Sequence, residues 1–221
     1  MFGKKLPAAV LWDMDGTLVD SEHYWLASEK SLAEAHDATW TEQDGHDLIG
    51  NSLYESSRII KAKIGSSMDT EAIVQHLTDS VVAKLAVEIP WRPGAKELLR
   101  ELKRKKIKTA LVTMSLHRMA EEVVRRIPFD AFDVIIGGDD VARGKPFPDP
   151  YLKAAEALGV RPEDCVAFED SNTGLRSAEA AGTKAVGIPN FVEIPMIPGR
   201  ILWPTLDGVR VKDLQKLFSK E

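Results

Sequence analysis

Ala8-Ala9-Val10-Leu11-Trp12-Asp13-Met14-Asp15-Gly16-Thr17 is the stretch on which the fold turns. Its apolar residues run without interruption and then stop at two aspartates and a glycine. A short continuous apolar run suits a strand buried on both faces, as in a parallel sheet, whereas a strand with one wet face would alternate. Similar runs recur at Lys108–Val112, Val134–Ile136, Cys165–Phe168 and Ala185–Ile188. Between them lie segments with helical spacing at Ala95–Lys105, Arg118–Arg126, Pro150–Leu158 and Thr173–Ala181, the last two followed by Gly159 and Gly182 where a helix end favours glycine. The alternation predicts an α/β core, a doubly wound parallel sheet with helices on both faces.

Residues 21–88 break that alternation. Only helical patterns occur there: Ser21–Ala35, Leu53–Ile64, and a stretch from Glu71 that sets Ile73, Val74, Leu77, Val81 and Leu85 on one side. The economical reading is a small helical domain inserted after the first strand, giving a core of 1–20 and 89–221 and an insert of 21–88. The linkers fall near Thr17–Asp20 and Glu88–Pro93, with Pro90 and Pro93 stiffening the return. The segment 189–210 is Pro-rich and receives no element.

Composition agrees with a chain of this kind and excludes several others. At 221 residues, 44% hydrophobic and 29% charged, the chain has room for one large domain plus a small insertion, and needs no staples to bury a core. A single cysteine, Cys165, forms no internal disulfide and, from its apolar run, reads as an inert core thiol; a reducing, cytoplasmic setting fits. The N-terminal stretch carries two lysines and an apolar run too short for a secretory leader or a membrane span. A net charge of −5 (29 cations, 34 anions) disfavours nucleic acid as a partner. The basic run Lys103–Lys106 reads as a helix C-terminus. No long apolar face lacks a place in the core, so a monomer is expected.

In a doubly wound sheet the ligand site lies beyond the carboxyl ends of the strands, so the residues that end the apolar runs belong together. They are Asp13, Asp15, Gly16 and Thr17; Thr113 and Ser115; Lys145 on the following loop; and Glu169 with Asp170. Taken singly, each has an ordinary structural reading: a turn at Asp15-Gly16, a strand end at Thr113, a solvated cation at Lys145, a helix cap at 169–171. Taken together, four acidic groups on one rim repel one another unless a divalent cation sits among them, and a hard cation such as Mg2+ accepts a few carboxylates, waters and a phosphate oxygen.

These residues stand in four motifs, DMDGTLVD at 13–20, LVTMS with Thr113, GKPFPDP with Lys145 and FEDSNTG at 168–174, and in that order they resemble the haloacid dehalogenase superfamily. The insert resembles the helical cap of one subclass. The resemblance implies that Asp13 attacks phosphorus and forms an aspartyl-phosphate, while Asp15 acts as general acid and then base. It also implies that Lys145 and Thr113 bind the phosphoryl oxygens, with backbone amides near Met114 and Gly16. Mg2+ would be held by the Asp13 carboxylate, the Asp15 carbonyl, Asp170 and Glu169.

Asp15 narrows the chemistry, because dehalogenases and phosphonate hydrolases of the superfamily lack an aspartate there. A phosphatase acting on a small phosphorylated metabolite (a sugar phosphate or phosphoglycolate) and a mutase of the beta-phosphoglucomutase type remain. The similar mutases carry an arginine soon after the cap glycine and a histidine at the start of the cap. Here Gly50 is followed by Asn51, the next arginine is Arg58, and Trp25 stands at the histidine place, all of which favours hydrolysis. Asn51, His23 and Arg58 are candidates to line the cleft; Trp25 also reads as cap core, Asp20 and Ser21 as helix caps at the hinge, and Asp149 as the N-cap of a helix with Pro150 at N1. A phospho-acceptor regulatory domain of the two-component type also sets Asp, Thr and Lys at strand ends. It is shorter, lacks an insert and places its acceptor after a later strand. A catalytically dead metabolite-binding protein would need a broken motif, and none is broken.

Overall fold

The computed structural model describes residues 5–218; Lys4, one of the two N-terminal lysines weighed above, and the outer ends of segments 1–20 and 89–221 lie outside the described residues. The elements run β1 (Ala9–Trp12), α1 (Glu22–Glu34), α2 (Glu42–His46), α3 (Leu53–Ile64), α4 (Thr70–Leu85), α5 (Ala95–Arg104) and β2 (Lys108–Val112). They continue with α6 (His117–Arg125), β3 (Val134–Ile136), α7 (Asp149–Leu158), β4 (Cys165–Glu169), α8 (Asn172–Ala180), β5 (Lys184–Gly187), β6 (Ile201–Leu202) and α9 (Val211–Leu214). Among the described residues the strands form one sheet in the order β3-β2-β1-β4-β5-β6, every pairing parallel.

The continuous apolar run of β1 is explained by this placement. Val10 and Trp12 join the cluster containing Leu98, Leu99 and Leu102 of α5 and Met119, Ala120 and Val123 of α6. Ala9 and Leu11, pointing the other way, pack with Tyr151, Ala154 and Leu158 of α7 and Leu175 and Ala178 of α8. With helices on both faces neither side of the strand meets water, and each Leu so buried is worth about 1.5–3 kcal/mol.

Helices α1–α4 all lie between β1 and β2 in the chain, forming the cap inserted in an otherwise doubly wound fold. The two connecting segments pair with each other: the Asp20 amide donates to the Pro90 carbonyl at 2.6 Å and the Arg92 amide to that of Leu18 at 3.0 Å. Local caps delimit the insert's helices. Ser52 accepts from the Glu55 amide, Asp69 from the Ala72 amide, and the short α2, absent from the sequence reading, is held by a reciprocal Thr41–Asp44 capping box.

The segment that received no element, 189–210, contributes the edge strand β6, and α9 follows it. Buried Arg200 ties the segment down through Glu179, Asn172 and the Pro195 carbonyl. Three expected caps are corrected. Asp20 lies one residue before the N-cap of α1, and its carboxylate accepts from the Asn190 side-chain amide at 3.4 Å. Asp149 is the first residue of α7, without a capping bond, and its carboxylate instead takes a bidentate bond from Arg143 at 3.0 Å. Ser21 occupies the N-cap of α1 but makes no capping bond, because its hydroxyl is used elsewhere. Cys165 is buried, with its thiol pushed up to about 12. None of the described helices is long and apolar enough to cross a membrane.

Candidate active site

The sheet order reverses direction at β1: β2 and β3 lie to one side, β4 to β6 to the other. Residues leaving the carboxyl ends of β1, β2 and β4 therefore surround one crevice, as the topology of open parallel sheets dictates. The pairing carries past the end of β1, where the Asp13 amide donates to the Phe168 carbonyl at 3.1 Å. This register sets Asp13 beside Glu169 and Asp170, and the loop before α7 delivers Lys145 to the same point.

Lys145 is the hub. Its Nζ donates to Asp13 Oδ1 at 2.7 Å and the Val112 carbonyl at 2.9 Å, and pairs with Glu169 Oε1 at 2.7 Å. Glu169 Oε1 also accepts from the Tyr151 hydroxyl. Burial opposes a charge on Lys145, yet Asp13 and Glu169 hold its ammonium above the usual range. The carboxyls respond in the opposite sense: burial raises Asp13, pushes Glu169 up to about 7, and lifts Asp170 well above the ordinary range, each with help from neighbouring negative charge.

Three buried carboxyls against one ammonium leave an uncompensated negative charge. Asp13, Glu169 and Asp170 each offer an oxygen within 4.8 Å of the others, and Asp13 Oδ2 is buried without a partner. An all-oxygen donor set with a spare carboxylate oxygen suits a hard divalent cation. Two glycines make room for the set. Gly16, at φ 80°, would carry a Cβ 2.0 Å from Asp170 Oδ2, and a Cβ on Gly174 would lie 1.9 Å from Glu169 Oε2.

Asp15 stands apart from that nest. Its Oδ1 accepts from the Ser21 hydroxyl at 2.6 Å and the Trp25 indole at 3.0 Å; its Oδ2 accepts from the Ser115 hydroxyl at 2.7 Å and that of Thr113 at 3.3 Å. The carboxylate is thus suspended between the cap helix α1 and the loop after β2. Its side chain is not one of the three clustered carboxyls. Of the amides near Gly16, that of Gly16 itself donates to the Val19 carbonyl at 2.8 Å. Met114 lines the cleft and its sulfur accepts from the Lys145 amide.

The cleft between cap and core encloses about 100 Å³ of free space. Asp13, Asp15, Thr113, Met114, Lys145, Glu169 and Asp170 line it from the core, and Asn51 from the cap. His23 and Arg58 do not; His23 is exposed against Tyr24, and exposed Arg58 pairs with Glu55. The sequence reading gathered Ser115 at the rim without giving it a role, and missed Ser21, Tyr151, Glu22 and Glu29 as parts of the site. Helical spacing was the available signal for several of them, since Ser21 and Trp25 stand four apart and Glu22, Trp25 and Glu29 share one face of α1. Burial pushes Glu22 up to about 8 and Glu29 to about 7.

Comparison with known proteins agrees with this geometry. The haloacid dehalogenase-like hydrolase family, described as hydrolases, matches residues 7–182. The chain is 33% identical over 179 residues to a phosphorylated carbohydrates phosphatase of Thermotoga maritima, covering 80% of this chain and 83% of that protein. It is 34% identical over 189 residues to a beta-phosphoglucomutase of Bacillus subtilis, covering 81% and 82%. The crystal structure of CbbY from Rhodobacter sphaeroides in complex with phosphate superposes with a TM-score of 0.84 at 30% identity, covering 95% of this chain and 99% of that one. The motifs at the strand ends, the inserted helical cap and these matches lead to one conclusion: the chain belongs to the haloacid dehalogenase-like hydrolases and is a phosphoric monoester hydrolase.

Proposed function

We propose that the protein is a Mg2+-dependent phosphatase of a small phosphorylated metabolite, a sugar phosphate or a phosphoglycolate-like ester, working through an aspartyl-phosphate on Asp13 with water as the final acceptor. The observation that carries this reading is the fixed Asp13 carboxylate, oriented through Oδ1 by Lys145 while Oδ2 has no partner, in a cleft lined by a single cation among the described residues.

In the first half-reaction an Asp13 oxygen bonds to phosphorus as the bond to the leaving oxygen breaks, and Asp15 supplies the proton that this oxygen takes up. In the second, Asp15 removes a proton from water as the water oxygen attacks the acyl phosphate and the Asp13 carboxylate departs. Lys145 and the Thr113 hydroxyl bind the phosphoryl oxygens, with the backbone near Met114 beside them. Ser21, Trp25 and Ser115 orient Asp15. Asp13, Glu169 and Asp170, with the Asp15 carbonyl, would hold Mg2+, which supplies charge to draw a phosphate dianion toward a carboxylate. The cap is residues 21–88 and the core 1–20 with 89–221, hinged at the paired linkers. The cap stands over the cleft, and the paired linkers are where it would hinge to admit substrate.

Water as the acceptor, against a second sugar, is supported by the charge of the lining. A mutase grips a second phosphate; here Lys145 is the sole cation among the described residues that line the cleft, and Arg58 lies outside it. Phosphorus NMR with beta-glucose 1-phosphate, with and without a trace of the bisphosphate, tests the choice. Free phosphate appearing in step with substrate loss is expected, and isomerised sugar phosphate appearing much faster overturns it.

A further inference from the structure

Tyr151, the third residue of α7, reaches the carboxyl nest through the core, not from a strand end or from the cap. It is fully buried at 0% exposure and belongs to the apolar cluster of Ala9, Leu11, Ala154 and Leu158. It is not among the residues that line the cleft. Yet its hydroxyl donates to Glu169 Oε1, and its ring centroid lies 5.4 Å from the Lys145 ammonium. Phenylalanine would serve apolar packing alone; a hydroxyl buried at this depth is accounted for by its bond to Glu169.

Donor arithmetic shows what that bond adds. A lysine ammonium has three N–H groups, and those of Lys145 go to Asp13 Oδ1 at 2.7 Å, the Val112 carbonyl at 2.9 Å and Glu169 Oε1 at 2.7 Å. Lys145 has nothing further to give Glu169. The terminal torsion of a glutamate is broad, so a single donor leaves its carboxylate free to rotate. The Tyr151 hydroxyl brings a second donor to the same oxygen, from a ring that core packing holds still. Two donors from different elements fix the carboxylate plane. Gly174 keeps clear the space at the other oxygen, since a Cβ there would stand 1.9 Å from Oε2. The added donor is also neutral. A second cation beside Glu169 would compete with a divalent ion for the carboxylate, whereas a hydroxyl orients it and leaves its charge for the ion.

We propose that Tyr151 is a positioning residue for the divalent cation: its hydroxyl holds Glu169 beside Asp13 and Asp170, and so sets the affinity of that cluster for the ion without touching the substrate. The proposal goes beyond the phosphatase reading above and rests on its Mg2+ dependence. Removing a hydrogen-bond partner of a metal-binding side chain typically costs about 10–100-fold in metal affinity or activity. Because Tyr151 stands outside the cleft lining, the loss falls on the metal and not on the ester.

Tyr151→Phe removes the hydroxyl and keeps the ring. The dissociation constant of Mg2+ for the substrate-free protein, measured by isothermal titration calorimetry, should rise about 10–100-fold. The Mg2+ concentration for half-maximal turnover of p-nitrophenyl phosphate should rise in parallel, while KM for the ester at saturating Mg2+ stays within about two-fold of wild type. Leu158→Val, which trims a neighbour in the same apolar cluster, isolates the effect of packing: it should lower the melting point in EDTA and leave the Mg2+ constant unchanged. An unchanged Mg2+ constant in Tyr151→Phe, or an equal weakening in Leu158→Val, reduces Tyr151 to core filling and overturns the proposal while leaving hydrolysis intact. Wild-type turnover undiminished in EDTA, with no calorimetric binding of Mg2+, refutes the Mg2+ dependence itself and the proposal with it.

Discussion

Replacing Lys145 with methionine keeps most of the stem's volume and removes the cation from a nest of three buried carboxyls. The Lys145 side chain is 4% exposed and those of Asp13 and Glu169 are 9% and 1% exposed, so solvent does little to screen the loss. Breaking a buried pair costs about 3–5 kcal/mol, and the Val112 carbonyl also loses its side-chain donor. A deficit near 4 kcal/mol at pH 8 follows, a fall of about 2 M in urea midpoint at a slope near 2 kcal/mol/M. The deficit also depends on pH. Glu169 already stands at about 7 in the folded chain, raised by burial and by Asp13, and removing the ammonium raises both carboxyls further. A carboxyl raised on folding binds protons that the unfolded chain has released, so the stability of the folded state is kept at low pH and lost as pH climbs through the raised value. The deficit should therefore shrink toward pH 5 and widen toward pH 8. Urea unfolding followed by circular dichroism in EDTA at pH 5, 6.5 and 8 measures it. Equal midpoints for the two proteins at pH 8, or a deficit that does not vary with pH, would refute the reasoning.

Asp13→Asn should leave no measurable turnover while raising the urea midpoint at pH 8, because it deletes both the nucleophile and one charge of the nest; retained turnover removes Asp13 from the chemistry. Asp15→Asn should slow alkyl phosphates about 10²–10⁴-fold and aryl phosphates less, and equal losses on both deny it the proton-transfer role. Glu29→Gln should stabilise the protein at pH 8 by up to about 3 kcal/mol and leave it unchanged below pH 4.5. The reason is that burial raises Glu29 from 4.5 to about 7, against the Trp40 bond and with help from Asp44, so its ionisation is a cost that grows across that interval. A flat difference across pH in thermal melts contradicts this. EDTA should abolish turnover, Mg2+ restore it and Ca2+ inhibit, since Ca2+ accepts more ligands at longer range; full rates in EDTA exclude a metal from the reaction.

The order of elements in the core, and the place where its chemistry gathers, were legible before any coordinates. An unbroken apolar run such as 9–12 announces a strand buried on both sides, and in a parallel sheet every such strand delivers its next residues to the same edge. Local patterning alone thus gathers Asp13, Thr113 and Glu169 at one rim. Short-range rules failed where a side chain had a stronger partner at long range. Asp149 and Ser21 read as caps from their neighbours in the chain, yet Asp149 falls one residue inside α7 and pairs with Arg143, and the Ser21 hydroxyl is taken by Asp15. The edge strand β6 escaped notice because two residues carry no periodicity, and only pairing with β5 makes them a strand. The cap's contribution was equally hidden. Helical spacing shows that Glu22, Trp25 and Glu29 share a face of α1 but not what that face meets. Only the folding of α1 over the carboxyl edge of the sheet decides that Trp25 and Ser21 hold one oxygen of Asp15 while Ser115, a hundred positions along the chain, holds the other.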